Sequence, residues 1–104
     1  MPGETVNMTF RVDVKENGQL IGTLPNDNVQ CYIGRNYDFD YVVSFNTDCT
    51  LNDITIYGEN NSIVQQYQNI NQALSVNEEF TVTLNRTISG EGTHNERIEC
   101  NITY

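Results

Sequence analysis

Apolar and polar positions alternate along most of this chain. Val6, Met8, Phe10, Val12 and Val14 are separated by Asn7, Thr9, Arg11, Asp13 and Lys15. Phe80, Val82 and Leu84 alternate with Thr81, Thr83 and Asn85, and Ile98, Cys100, Ile102 and Tyr104 with Glu99, Asn101 and Thr103. A period of two sends one set of side chains to a buried face and the other to water. The pattern predicts seven main strands, at residues 5–14, 29–33, 39–46, 53–57, 62–67, 79–87 and 96–104, with a short edge piece at 19–24. Turn chemistry punctuates them: Asn17-Gly18, Pro25-Asn26-Asp27-Asn28, residues 34–38, Gly58-Glu59-Asn60-Asn61, and the Gly-rich stretch 89–93. Residues 47–52 read as a loop. A helical turn or two at 65–74 is weakened by Asn69 and Asn71.

Short strands spaced near ten residues apart, each with one wet face, imply an all-β antiparallel sandwich or barrel. The 104 residues suffice for one domain with one core, spanning 1–104. No apolar run approaches the roughly 18 residues of a membrane-spanning helix. The N-terminal Met-Pro-Gly-Glu-Thr has neither the basic start nor the apolar stretch of a signal peptide. Either the protein stays in the cell or this chain is a piece of a larger secreted one, and we expect the second, because its glycosylation sequons would otherwise be idle.

Charge narrows the partners. The net charge is −9, and Lys15 is the only lysine. A nucleic-acid binder needs basic patches against phosphate, and an anionic membrane would repel this surface. Four Asn-x-Ser/Thr sequons start at Asn7, Asn60, Asn85 and Asn101. About two would arise by chance in so Asn- and Thr-rich a chain. Their placement says more than their number: Asn7, Asn85 and Asn101 fall on the wet set, where a glycan would have to stand.

From Asp40 onward the chain resembles the conserved-repeat and cell-adhesion-related domains of bacterial and archaeal surface proteins. Asn46-Thr47 takes the place of their strand-ending turn, Leu51-Asn52-Asp53-Ile54 that of a strand start, and Leu74-Ser75-Val76-Asn77-Glu78 that of a turn into a Thr-rich strand. Asp48 and Asn77 stand where that family prefers Gly, and both residue types tolerate a left-handed backbone. The C-terminal barrels of transglutaminases share the rhythm. The resemblance implies an immunoglobulin-like antiparallel β-sandwich with a stalk or surface role and no catalytic residue.

Candidate chemistry is sparse. Cys31 and Cys100 share parity with Val29, Ile33, Ile98 and Ile102, so both should point inward, and a Cys31–Cys100 disulfide is the first expectation. Cys49 lies in a loop; Cys49–Cys100 is the alternative, and the plainest outcome is that all three are reduced and two are simply small core residues. No Cys-x-x-Cys spacing suggests zinc. His94, the only histidine, lies in a Gly-rich loop without nucleophile-elbow spacing nearby. Asp38, Asp40, Asp48 and Asp53 flank turns, but their spacing fits no calcium loop, and calcium wants about six to eight oxygens. Lys15 sits on the wet set, away from the buried position an intramolecular isopeptide bond requires. Tyr32, Tyr37 and Tyr67, with Gln65, Gln66 and Gln68, offer a polar-aromatic contact patch.

These readings lead to a non-enzymatic extracellular structural or adhesion module of a cell-surface protein or filament. It has no cofactor or metal. Its partners are proteins, met through sheet edges or neighbouring copies, with no nucleic acid and no membrane insertion. The alternative is a small acidic protein-binding or inhibitor domain acting inside the cell.

Overall fold

The computed structural model describes residues 5–58, 61–92 and 95–104. Among these residues the protein is all-β, with eight strands in two sheets. The strands are β1 (Met8–Glu16), β2 (Gln19–Leu24), β3 (Asn36–Phe45), β4 (Cys49–Tyr57), β5 (Ile63–Tyr67), β6 (Gln72–Leu74), β7 (Phe80–Thr87) and β8 (Arg97–Thr103). The chain divides into two compact units.

The unit formed by Thr9–Ser44 and Glu79–Glu91 carries a four-stranded sheet in the order β2-β1-β3-β7. Its first hairpin closes as the sequence predicts. Asn17 and Gly18 both hold positive φ, 52° and 81°, and Glu16 pairs with Gln19 across them. Two left-handed residues match the right-handed twist of the flanking strands. β3 and β7 pair antiparallel from Asn36↔Thr87 to Val43↔Phe80 with no break in register. The inward set Val12, Val14, Tyr37, Phe39, Tyr41 and Val43 is buried.

The expected strand at 29–33 does not form. Residues 25–35 are a connection with no strand, and its first part folds back on β2. Asp27 accepts the Thr23 N–H at 2.8 Å and donates its own N–H to the Thr23 carbonyl at 2.8 Å. Val29 then lies against Gly22, where a Cβ would stand 2.6 Å from Cγ2 of Val29. The apolar alternation of Val29, Cys31 and Ile33 is real, but the segment has no neighbouring strand to pair with, and period two alone cannot supply one.

The other unit, Met1–Met8, Phe45–Glu78 and Gly92–Tyr104, is organised around β4. β8 pairs along one side of β4, and β5 and β6 share the other, at Ile54–Tyr57 and Cys49–Leu51 respectively. The register against β8 shifts between Leu51 and Asp53. That bulge explains why 47–52 reads as a loop. Inward parity is odd at Cys49 and Leu51 and even at Ile54 and Ile56, yet all four are buried. One extra residue in a strand reverses the alternation without ending the strand. Opposite the bulge, residues 68–71 leave the ladder with Asn69 and Asn71 at positive φ. Ile70 N–H donates to the Asn52 carbonyl at 2.8 Å, and Asn69 N–H to the Asp53 carboxylate at 3.0 Å. These bonds replace the helical turn that the sequence suggested there.

Candidate functional surface

The polar face of the β2-β1-β3-β7 sheet carries side-chain bonds across each of its strand pairs. Thr23 Oγ1 donates to Asp13 at 2.9 Å, joining β2 to β1. Lys15 Nζ reaches Asp40 at 2.9 Å, joining β1 to β3. Thr83 Oγ1 donates to the other Asp40 oxygen at 2.7 Å, joining β3 to β7. Asn85 donates to Asp38 at 2.9 Å and exchanges amide bonds with Asn36 at 2.6 and 2.7 Å. Arg11 clamps Glu79 at 2.6 Å and Asp13 at 3.3 Å. The Thr83 hydroxyl, and then Lys15, hold the Asp40 carboxyl below its ordinary range. Arg11 does the same for Glu79. Cross-strand pairs of this kind stabilise a sheet. Their donors and acceptors are spent on one another rather than aimed at a ligand.

The other acids are used in similar ways. Asp48 accepts the Val76 N–H at 3.0 Å. Asp53 accepts from Asn69 N–H and from the Asn101 amide at 3.1 Å. Glu78 caps the Ser75 N–H at 2.8 Å, beside Asn77 at φ 62°. The left-handed turn expected at Asn77 is thus present, whereas Asp48 serves as an acceptor instead. No metal-holding group of three His, Cys, Asp or Glu exists among the described residues.

Three sequon asparagines stand on exposed positions: Asn7, Asn85 on β7 and Asn101 on β8. The side-chain amides of Asn85 and Asn101 are engaged by Asp38 and Asp53. Asn60 and His94 lie outside the described residues.

All three cysteines are thiols, so the Cys31–Cys100 disulfide is not formed. Cys31 sits half-buried in the 25–35 connection, not on an inward strand position. Cys49 and Cys100 are not cross-strand partners: Cys49 faces Leu74, and Cys100 faces Ile54. Burial, and less strongly Asp48, pushes the Cys49 thiol up. Burial, with a smaller effect from Cys49, pushes Cys100 up to about 12. A nucleophilic cysteine needs the opposite shift. Cys49 borders a shallow groove of about 510 Å³ with Asp48, Thr50, Leu74 and Tyr104, and its neutral thiol offers that groove no activated group.

The aromatic patch needs one correction. Tyr32 is exposed and Tyr67 half-buried, but Tyr37 is 1% exposed. β3 begins at Asn36, earlier than the alternation suggests, which puts Tyr37 on its inward face. Its hydroxyl accepts the Tyr32 N–H at 2.9 Å. Sequence reasoning also missed the cation–aromatic contacts. Arg86 covers Phe39 at 4.8 Å and donates to the Tyr41 hydroxyl at 2.9 Å, Arg97 covers Tyr57 at 4.0 Å, and Arg35 covers Tyr32 at 5.2 Å. The Arg86 contacts join β3 to β7 and the Arg97 contact joins β8 to β4, pairings that spacing along the chain does not reveal. No helix among the described residues is long and apolar enough to cross a membrane. No family model, curated protein or solved structure matches this chain.

Proposed function

We propose that this chain is a non-enzymatic extracellular structural or adhesion module, with its two sheets forming an immunoglobulin-like sandwich. Its partners are proteins, including neighbouring copies, met through strand edges. One observation carries the reading: Asn7, Asn85 and Asn101 are exposed, each two residues before an exposed threonine. That is the geometry a glycosylated surface requires. The cross-strand bonds of Asp13, Lys15, Asp40 and Thr83 support the non-enzymatic part, because they hold strands together. The test is mass spectrometry of the protein from its native source. Glycan at one or more of Asn7, Asn60, Asn85 and Asn101 is the expected result. Unmodified sequons on a protein recovered from the cytosol would overturn the reading.

A second reading, a small acidic protein-binding or inhibitor domain inside the cell, is favoured by the three thiols, since disulfides are rare in reducing compartments. Its charge pattern weakens it as a nucleic-acid mimic, because Asp13, Glu16, Asp40 and Glu79 are each paired with a base. Salt-sensitive capture of a basic protein by the unglycosylated chain would favour it over the first.

A further inference from the structure

We infer that the outer edge of β7 is a strand-addition site whose occupant is β7 of a second copy, joined antiparallel about a two-fold axis. This names the neighbouring-copy partner of the proposed function and rests on that reading only in that respect.

The edges of the two sheets are not alike. β2 is blunted: its register shifts between Val14 and Lys15, and Asp27 occupies both the N–H and the carbonyl of Thr23. The β5 and β6 side is broken at residues 68–71. β8 carries Arg97 and Glu99. Bulges, charges and interruptions of this kind are how edges are protected from pairing. β7 has none of the first or last, and a single charge. It runs eight residues, Phe-Thr-Val-Thr-Leu-Asn-Arg-Thr, with an unbroken register on β3, its one strand neighbour among the described residues. Its only charge, Arg86, is turned onto Phe39 and Tyr41.

Backbone direction follows from the next residue. Ile88 donates its N–H to the Arg35 carbonyl and accepts from Gly34 N–H, so its backbone faces the β3 side. Antiparallel ladders alternate, so Phe80, Val82, Leu84 and Arg86 also face β3. The N–H and C=O groups of Thr81, Thr83, Asn85 and Thr87 point to the open edge.

The sequence of β7 suits its own copy. With Thr83 opposite Thr83, Thr81 meets Asn85 on the polar face, and Val82 meets Leu84 on the apolar face. Arg86 meets Phe80 rather than another arginine. Every side chain keeps its face, which a one-residue slip would reverse. Electrostatics favours the same place. A chain of net charge −9 repels itself, yet no acid lies between Glu79 and Glu91. β7 is therefore an edge where two copies approach without opposing carboxylates.

The experiment uses the full, unglycosylated chain. Sedimentation across a concentration series is combined with residue-resolved amide exchange. The expected result is a doubling of mass with concentration, and in parallel a slowing of exchange at Thr81, Thr83, Asn85 and Thr87. The amides of Val82, Leu84 and Arg86 stay slow throughout. Thr83→Pro removes an outward N–H and no backbone bond to β3, and Thr83→Val, which loses the same hydroxyl bond to Asp40 but keeps the N–H, is its control: a folded T83P chain loses the doubling and T83V keeps it. A mass that stays single at high concentration, or a dimer whose new protection falls on β8 or β2, overturns the proposal. The exchange pattern of the parent chain decides it even where T83P fails to fold. Neither failure touches the glycan test above, which reads the native protein's modification rather than its assembly.

Discussion

At the scale of single residues, the positions that matter most are those where backbone geometry or close contact leaves no alternative. Gly22 is one: Val29 occupies the space a Cβ would need. Gly22→Ala should destabilise by about 1–3 kcal/mol, the usual cost of overpacking, read as a lower thermal midpoint with the hairpin at Asn17-Gly18 unaffected. The cysteines give a second expectation. Cys49 is 7% exposed, and its thiol and that of Cys100 are both pushed up. In a thiol-reagent titration of the native protein near neutral pH, both should react far more slowly than in denaturant, where all three cysteines titrate. Fast native labelling at Cys49 or Cys100 would contradict the burial described here. Residue types alone told part of this story. The left-handed Asn17 and Asn77 were legible because Asn tolerates that backbone. The close approach at Gly22 was not, because its cause lies on a separate segment.

At the scale of elements, β4 is the most revealing strand. It serves both sides of its sheet, and its bulge lets two short apolar patterns of opposite parity bury on one face. Deleting Asn52, the extra residue, would leave Cys49, Leu51, Ile54 and Ile56 in one unbroken alternation, whereas deleting Thr55 from the regular stretch should do more harm than deleting a loop residue. That deletion would turn Ile56, or else Ile54 with Cys49 and Leu51, toward water. We expect loss of cooperative unfolding in circular dichroism, whereas removing Ser89 from the connection after β7 should be tolerated. The contrast shows how far the alternation can be trusted. β1, β7 and β8 follow it without interruption along their inward sets and were readable within a few residues. The segment at 29–33 follows it equally well and is not a strand, because a strand exists only where a partner supplies the other half of its hydrogen bonds.

At the scale of the whole molecule, charge governs behaviour. All five bases are engaged: Arg11, Lys15, Arg35 and Arg97 with carboxylates, and Arg86 with Tyr41 and Phe39. The remaining acids carry the net negative charge. Acid stability provides a global check. The folded pKa of Asp40 lies below its ordinary value of 3.8. Its stabilising contribution is then complete above that value and is lost as pH falls through the lowered folded pKa. Asp40→Asn should lower the urea midpoint at pH 6 and narrow its gap from the parent protein as the pH drops toward 2.5. A gap that stays constant with pH would show that Asp40 contributes no charge-dependent stability.

The sequence by itself determined the class of structure, the Asn-Gly hairpin, the inward sets of its regular strands and the exposure of Asn7, Asn85 and Asn101. Each depends on residues within a few positions of one another, the range over which period two and turn chemistry act. Only the tertiary structure decided which strands pair, that Asn52 bulges, that Tyr37 is buried and that Asp27 and Val29 pack on β2 in a connection that forms no strand. Those outcomes depend on hydrogen bonds and packing between segments distant in sequence, and alternation looks the same whether or not a partner strand is present.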